Sequence, residues 1–493
     1  MTALDEPGTD HFCQDIHADQ PRPPDPEGFR AGEFLAYPHR TGRLDRAAFP
    51  PARSSLMLSW FVRLTPPSPR TRVSSMRLPV VAGLVGLLVL AGLQPAAAAS
   101  KPSKVGLVSF VGADYSRSHS TASLTLDWPN APRAKKYQVF MSKSYSMKKA
   151  KTFSVKSSKI KISKLSAGRD YFFRVRGING KKKGKKSNRV GHTTIVRPGP
   201  SKGLVPIRVM TYNLCSAVCD QKATTRYPWM KTATSGSAAP RQPAALERIA
   251  AANADVLATQ EASALKTPPP GYAEAINASA KRLYFRESRL QLADKPAYTY
   301  EAGDKNGCRA TTSPDAQAGH IFLGWHSKGC RYAVWAELVD KSTGRHFLAV
   351  NVHTVAGTSA TAVANRRSEM DLLFAGVAQI NRQKLAVVFA GDFNSHKNRT
   401  PDVVGAAMRS HKFRDAFDLA RTLDRQHYNS YNNFKTAPVI SYKWGDHVDH
   451  VFVDPSRSRV DAWRNIVLIG NDGRLVKPIP SDHSPLVVDV RLG

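Results

Sequence analysis

Acidic side chains are scarce in this chain: 38 Asp and Glu stand against 72 Lys and Arg, and the formal net charge is +34. Such an excess suits a polyanionic partner: nucleic acid, an anionic membrane or a phosphate-rich wall polymer. Cysteine is scarce too, five in 493 residues, which excludes a disulfide-dense miniature scaffold. Long apolar runs are missing but for Leu78–Leu93, which excludes a multi-span membrane protein. The composition also excludes collagen and coiled coil. What is present is a hydrophobic fraction of 42%, enough for a sizeable core, on a length that suits two or three domains.

The charge is unevenly placed. Residues 1–100 carry net +1, residues 101–200 carry 24 basic and 3 acidic groups, and residues 201–493 carry net +12. Residues 1–75 show no sustained apolar period and read as a disordered or untranslated extension, with the true start expected at Met57 or Met76. Residues 76–99 have the marks of a secretory signal peptide: Arg70, Arg72 and Arg77 ahead of the uncharged run, then Pro95 and four alanines. A single-pass membrane anchor is the alternative, but the run is short for the ~20 residues of a span. Export agrees with Cys215, Cys219, Cys308 and Cys330, an even set beyond residue 200. Four cysteines allow three pairings, and proximity favours Cys215–Cys219 with Cys308–Cys330. A zinc site would want a C-x2-C pair, which is missing.

Residues 103–197 read as short strands. Ser123–Trp128, Lys136–Phe140 and Asp170–Gly177 alternate with period two, and their spacing argues for an immunoglobulin-like β-sandwich. Leu126-Asp127-Trp128, Tyr137, Leu165, Tyr171, Val175 and the Asn179-Gly180 turn resemble a fibronectin type III domain. That resemblance makes Trp128, Leu165 and Tyr171 core residues, and the domain a spacer or binding module. Lys181, Lys182, Lys183, Lys185 and Lys186 follow the turn. On so basic a domain they are expected to contact a polyanion rather than serve solubility alone.

Residues 205–493 mix strands and helices. Ile207–Leu214, Asp255–Glu261, Arg331–Val339, His346–His353, Lys384–Ala390, His447–Val453 and Leu486–Val490 read as strands, and Ala244–Ala254 and Ala360–Gln383 as helices. The stretch Ala262–Gly329 reads as a polar loop that sets substrate choice. Polar residues cluster just past strand ends: Asn213, Glu261, His353, Asp392, Asn394, Asp449, Asp482 and His483. Phosphodiester cleavage needs such parts: carboxylate oxygens for a hard cation, a base for the attacking water, an acid for the leaving oxygen, and donors aimed at the developing charge.

The motifs Thr211-Tyr212-Asn213-Leu214, Gln260-Glu261, Asn351-Val352-His353-Thr354, Gly391-Asp392-Phe393-Asn394, Val448-Asp449-His450-Val451-Phe452 and Ser481-Asp482-His483-Ser484-Pro485 resemble, in order, those of the endonuclease/exonuclease/phosphatase superfamily, the deoxyribonuclease I-like group. The resemblance implies an α/β fold, a four-layer α/β/β/α sandwich over 205–493 preceded by the immunoglobulin-like β-sandwich. It implies that Glu261 is the principal metal carboxylate, assisted by Asn213 and Asp482. His483, polarised by Asp449, deprotonates the water or holds the phosphate. His353 contacts the phosphate or protonates the leaving oxygen, and Asp392 with Asn394 orients the nucleophile and phosphoryl oxygens. The base is left open between Asp392 and His483. Mg²⁺ is the expected ion, with Mn²⁺ or Ca²⁺ able to substitute. Strand alternation puts His450 on the face opposite Asp449, and Asp415 reads as structural.

The expected protein is a secreted, monomeric, metal-dependent phosphodiesterase acting on nucleic acid: the motifs point to the chemistry and the net charge of +34 to the polyanionic partner. A sphingomyelinase-like or phospholipase C-like lipid enzyme is the rival, although no hairpin with exposed aromatics is evident. A non-catalytic protein binding an anionic cell-surface polymer is the other rival.

Overall fold

The computed structural model describes residues 100–199, 202–216, 241–262, 265, 267–298, 307–326 and 329–493. The expected extension, the signal segment and Cys219 lie outside the described residues. Among the described residues no helix is long and apolar enough to cross a membrane.

The first strands in chain order are β1 (Ser109–Ser116), β2 (Thr121–Asp127), β3 (Lys136–Ser142), β4 (Lys151–Val155), β5 (Lys159–Leu165), β6 (Asp170–Asn179), β7 (Lys182–Lys183) and β8 (Val190–Thr193). They form two antiparallel sheets. One has the order β1-β2-β5, and the other β4-β3-β6-β7 with β8 also paired to β6. Period-two alternation sorts their side chains: Leu124 and Leu126, Tyr137 and Val139, and Phe173 and Val175 are buried. Trp128 packs edge-on against Tyr137, with ring centroids 5.4 Å apart.

The remaining elements are β9 (Val205–Asn213), α1 (Arg241–Ala252), β10 (Val256–Gln260), β11 (Tyr272–Ala278), β12 (Lys281–Arg286), β13 (Leu290–Leu292), β14 (Ala318–His326), β15 (Gly329–Asp340), β16 (His346–His353), α2 (Ala360–Ile380), β17 (Ala386–Asp392), α3 (Val403–Ser410), β18 (Arg414–Asp415), α4 (Ala416–Leu419), β19 (Thr422–Asp424), β20 (Asp449–Val453), β21 (Ser458–Asn465) and β22 (Leu486–Leu492). One seven-stranded sheet runs β11-β12-β10-β9-β22-β21-β19. The other runs β13-β15-β16-β17-β20-β18, with β14 on β15.

The two sheets share a core in which Val209 and Ala258 meet Ala336, Ala349, Val388 and Val451. Outside them, α1 lays Ala245 and Ile249 on Met210, Tyr212 and Leu257. On the other side α2 lays Met370, Leu373 and Val377 on Ile321, Leu348 and Val350, and α3 adds Val404 and Met408. The layers therefore run helix, sheet, sheet, helix. Ser359 caps α2, its hydroxyl accepting from the Ala362 N–H at 3.1 Å.

The stretch Ala262–Gly329 is not the loop expected from its polarity; it holds β11, β12, β13 and β14. Alanines dilute the apolar signal of β11, and a register shift between Phe322 and Gly324 breaks the period of β14.

The small sandwich shares the large core. Phe110, Val190 and Ile195 belong to the same buried cluster as Phe417, Leu419 and Leu423. His192 stands between Phe110 and Phe417, with centroids 5.0 and 5.1 Å away, and Phe172 packs on Trp444 at 5.3 Å. Gly191 is required here, because a Cβ would lie 2.7 Å from the Lys443 carbonyl oxygen. Burial pushes the His192 imidazole down to about 4, and that of His427, beside Phe110, down to about 3.

Candidate active site

Strand register gathers the polar ends at one rim. His353 at the end of β16 lies opposite Asp392 on parallel β17, and Asp392 lies opposite Asp449 on antiparallel β20. In the other sheet Asn213 ends β9 opposite Gln260 of β10, and Glu261 follows. Asp482 and His483 precede β22, which pairs with β9. Gly391 has room for no side chain, since a Cβ would collide with the Val352 carbonyl of the neighbouring strand. The two sheets are tied below the rim by buried amides: Gln260 Nε2 donates to Asn351 Oδ1 at 2.7 Å, and Asn351 Nδ2 to the Thr259 carbonyl at 2.8 Å.

All eight site residues named from the sequence come together. Asn213 Nδ2 donates to Glu261 Oε1 at 3.0 Å and to Asp392 Oδ2 at 3.1 Å. His353 Nε2 stands 3.6 Å from Asp392 Oδ2 and 3.9 Å from Glu261 Oε1. His483 Nδ1 is 2.9 Å from Asp449 Oδ2, and its Nε2 is 3.7 Å from Asp392 Oδ2 and 4.0 Å from Asp482 Oδ1. The Asn394 N–H donates to Asp392 Oδ1 at 2.8 Å, and its amide donates to the Thr354 carbonyl at 3.0 Å. Glu261 and Asn394 hold φ of 51° and 47°, and Cys215 holds 49°. Three non-glycine residues in the left-handed region at one rim mark backbone held under constraint.

The electrostatics divide the two histidines. Burial opposes a charge on His483, but the charges of Asp449 and Asp392 and the Asp449 hydrogen bond overcome it and raise its pKa well above the ordinary value. Burial lowers His353 well below that value, reinforced by Arg331, Lys281 and His483. The Asp392 carboxyl is pushed up to about 7, first by burial and then by Asp449, against the pull of His483. One imidazolium, one neutral imidazole and one carboxylate poised near neutrality thus line one cleft.

Residues 210–483 match the model of the Endonuclease/Exonuclease/phosphatase family. The chain belongs to that family. Its members are hydrolases of phosphoester bonds. Among solved structures, an endonuclease/exonuclease/phosphatase family protein from Bacteroides thetaiotaomicron is 17% identical, covering 59% of this chain and 99% of its own, at a TM-score of 0.43. The mannosyl-6-phosphatase Bt3783 of the same organism is 19% identical, covering 58% and 99%, at 0.42. The human Nocturnin catalytic domain is 18% identical, covering 58% and 95%, at 0.38. No curated protein matches the chain.

Endonuclease/exonuclease/phosphatase enzymes commonly depend on a divalent metal, and the donor chemistry of this rim can be tested for it. Asp392, Asp449 and His483 bring ligand atoms within 4.8 Å of one another. His483 Nδ1 is already engaged by Asp449 at 2.9 Å, and the surrounding carboxylates favour a proton on the ring that a cation would have to displace. Glu261 and Asp482 offer the hard oxygens that Mg²⁺ or Ca²⁺ prefers. The Asp482 carboxyl is pushed up to about 6 by burial first, with the Glu261 charge adding to the rise, and a cation would relieve that repulsion. Asn213, expected as an oxygen ligand, is turned otherwise: its Oδ1 accepts from the Cys215 N–H at 2.9 Å while its Nδ2 faces the carboxylates. In this orientation it steadies Glu261 and Asp392.

Several residues that hold the family site were not singled out from the sequence. Buried Arg241, at the start of α1, donates to the carbonyls of Leu214, Pro480, Cys215 and Ser216 and so clamps the two chain segments beside Asn213 and Asp482. A cation at a helix N-terminus opposes the helix dipole, and that conflict was its one sequence signal. Ser481 Oγ donates to the Asn213 carbonyl at 2.6 Å and Arg331 Nη2 to the His353 carbonyl at 2.8 Å. The Tyr431 ring packs on the His483 ring at 5.1 Å. His450, on the opposite face from Asp449, bonds Asp415 Oδ2 at 2.7 Å through Nδ1.

Cys308 and Cys330 are joined, with S–S 2.02 Å. Cys215 is also disulfide-bonded. Lys181, Lys182, Lys183, Lys185 and Lys186 are all exposed; Lys182 and Lys183 form β7, paired with Asn179 and Ile178, so the run is divided between two faces.

Proposed function

We propose that this protein is a secreted, divalent-metal-dependent phosphodiesterase that cleaves nucleic acid, with residues 103–197 as a fibronectin type III-like accessory domain and 205–493 as the catalytic domain. The observation that carries the reading is the pairing of His483–Asp449 and His353 around Asp392, on a chain whose residues 101–493 carry net +33. Glu261 and Asp482 would hold the cation, expected to be Mg²⁺. When bound, the cation supplies positive charge to the phosphoryl and leaving oxygens.

Asp392, with a pKa near the working pH, takes the proton of the attacking water. Asn394 and Asn213 fix the carboxylate that does so. The His483 imidazolium, held by Asp449, faces the charge that grows on the phosphoryl group. His353 contacts the phosphoryl group from the other side of Asp392. Its neutral form makes it a hydrogen-bond partner there rather than a second cation.

One observation favours the lipid reading. β14 and β15 form a hairpin, and Trp325 near its tip is 56% exposed. The hairpin with an exposed aromatic that the sequence did not reveal is therefore present, although it offers a single ring.

The deciding experiment offers the purified protein plasmid DNA, RNA and sphingomyelin in parallel, with Mg²⁺ and with excess EDTA. Nicking of nucleic acid that EDTA abolishes and Mg²⁺ restores is expected, and Glu261→Gln should lose activity first at low Mg²⁺. Turnover of sphingomyelin alone, or full activity in chelator, would overturn the reading.

A further inference from the structure

The larger sheet of the sandwich turns an unusually basic face outward. On β3, Tyr137, Val139 and Met141 are buried, so Lys136, Gln138 and Phe140 face out. On β6, Tyr171, Phe173 and Val175 face the core, which leaves Arg174 and Arg176 outward, with Phe172 on the same face but covered by Tyr145 and Trp444. Register puts Arg176 opposite Gln138, Arg174 opposite Phe140, and Lys183 opposite Ile178. Lys186 Nζ lies 4.3 Å from the Phe140 ring centroid and the Arg176 guanidinium 5.1 Å from it.

The pattern continues off the sandwich. Arg189 lies 4.0 Å and Lys443 5.1 Å from the ring of Tyr145, which is 39% exposed. Lys443 and exposed Tyr442 precede Trp444, whose ring is buried against Phe172 with Lys397 Nζ 4.2 Å from it, so Tyr442 and Tyr145 are the rings open to a strand there. Lys397 is on the segment that leaves Asn394, and Trp444 on the segment that enters Asp449. Counter-charge is sparse on the sandwich itself, whereas Lys397 is held by Asp418 at 3.1 Å as well as by Asp170. Of the three acidic residues in 101–200, Asp114 and Asp127 belong to β1 and β2 of the other sheet, and Asp170 is paired with Lys397 at 3.7 Å. So many like charges on one small face repel each other unless an anion lies across them.

We propose that this face, from Lys183 and Lys186 through Arg176 and Tyr145 to Lys443, is a track for single-stranded nucleic acid that feeds the site at Asp392. The inference rests on the nucleic-acid reading above and assigns that substrate its path. Cations alternating with aromatic rings fit a single strand, whose phosphates pair with the former and whose unstacked bases meet the latter. The paired bases of a duplex present no such rings to the surface.

The test is binding of a labelled oligothymidylate strand by the full chain in EDTA, over a salt series. The triple change Arg176→Gln, Lys183→Gln, Lys186→Gln is set against Lys159→Gln, Lys161→Gln, Lys164→Gln on β5, which removes equal charge from the other sheet. The track triple should flatten the log affinity–log salt slope by about 2, from ~0.7 per lost contact. The β5 triple should leave it nearly unchanged, and both should keep the wild-type near-ultraviolet circular dichroism. Equal losses in both triples would overturn the track in favour of bulk charge. So would tighter binding of duplex, or of polyphosphate, that the track triple does not weaken. Because binding is read in chelator, the outcomes separate: strand binding at the track without nucleic-acid cleavage by the wild type would sink the functional reading alone.

Discussion

Asp392 is buried where three strand ends meet, with His353 and His483 both within 3.7 Å of its Oδ2. A base works in its deprotonated form, so turnover should fall as pH drops below about 7, the value to which burial pushes this carboxyl. Asp392→Asn should lower the rate by roughly 10²–10⁴-fold and abolish that acid limb. A pH–rate profile of both proteins checks it; an unshifted acid limb in the variant would assign the base elsewhere. At this scale the sequence was readable wherever a site residue ends a strand, because motif and strand are contiguous there. Asp392 and His353 are examples. Arg241 and Tyr431 were not readable. Their partners lie far away in the chain, and the one local signal at Arg241, a cation at a helix start, does not say which carbonyls it holds.

Among the elements, the joint between β20 and α4 carries a titratable link away from the rim. Asp415 caps α4, accepting from the Phe417 N–H at 2.9 Å, and its other oxygen holds His450 of β20. Burial alone would lower His450, but the Asp415 charge and hydrogen bond, with the Ser395 carbonyl, lift it to about 9. A pKa raised on folding stabilises fully below the unfolded value of about 6.5, and the gain is lost as pH rises through about 9. His450→Gln should therefore lose stability on the order of 3 kcal/mol below pH 6.5, and the gap to wild type should close above pH 9. Urea unfolding in both ranges measures it, and an equal loss in each would make the role one of packing alone. Long strands with a sustained pattern, alternating in β6 and largely apolar in β16, were legible in advance. The strands β11 to β14 were not, since small residues, a bulge and surface ion pairs such as Arg282–Glu274 conceal their period.

At the scale of the whole molecule, the seam between the sandwich and the large sheets was invisible in the sequence. It is made by His192, Phe110 and Phe172 from one part and Phe417, His427 and Trp444 from the other. A shared core predicts one cooperative transition for the two parts, read by far-ultraviolet circular dichroism and by tryptophan fluorescence together. Two separated transitions would contradict it. The seam should also be acid-sensitive. His192 and His427 are depressed to about 4 and 3, so their contribution is complete above about 6.5 and declines as pH falls toward those values.

The side-by-side placement of His353, Asp392 and Asp449 on neighbouring strands has a consequence for how this chain can vary in length. A codon gained or lost within β16, β17 or β20 would send every later side chain of that strand to the other face and take one of the three away from its neighbours. A library of one-residue insertions and deletions, sorted for activity, should come back empty across those strands. The turn between β15 and β16 should tolerate them better, since Gly344 has nothing within 4 Å of its missing Cβ, although its φ of 67° keeps that one position for glycine.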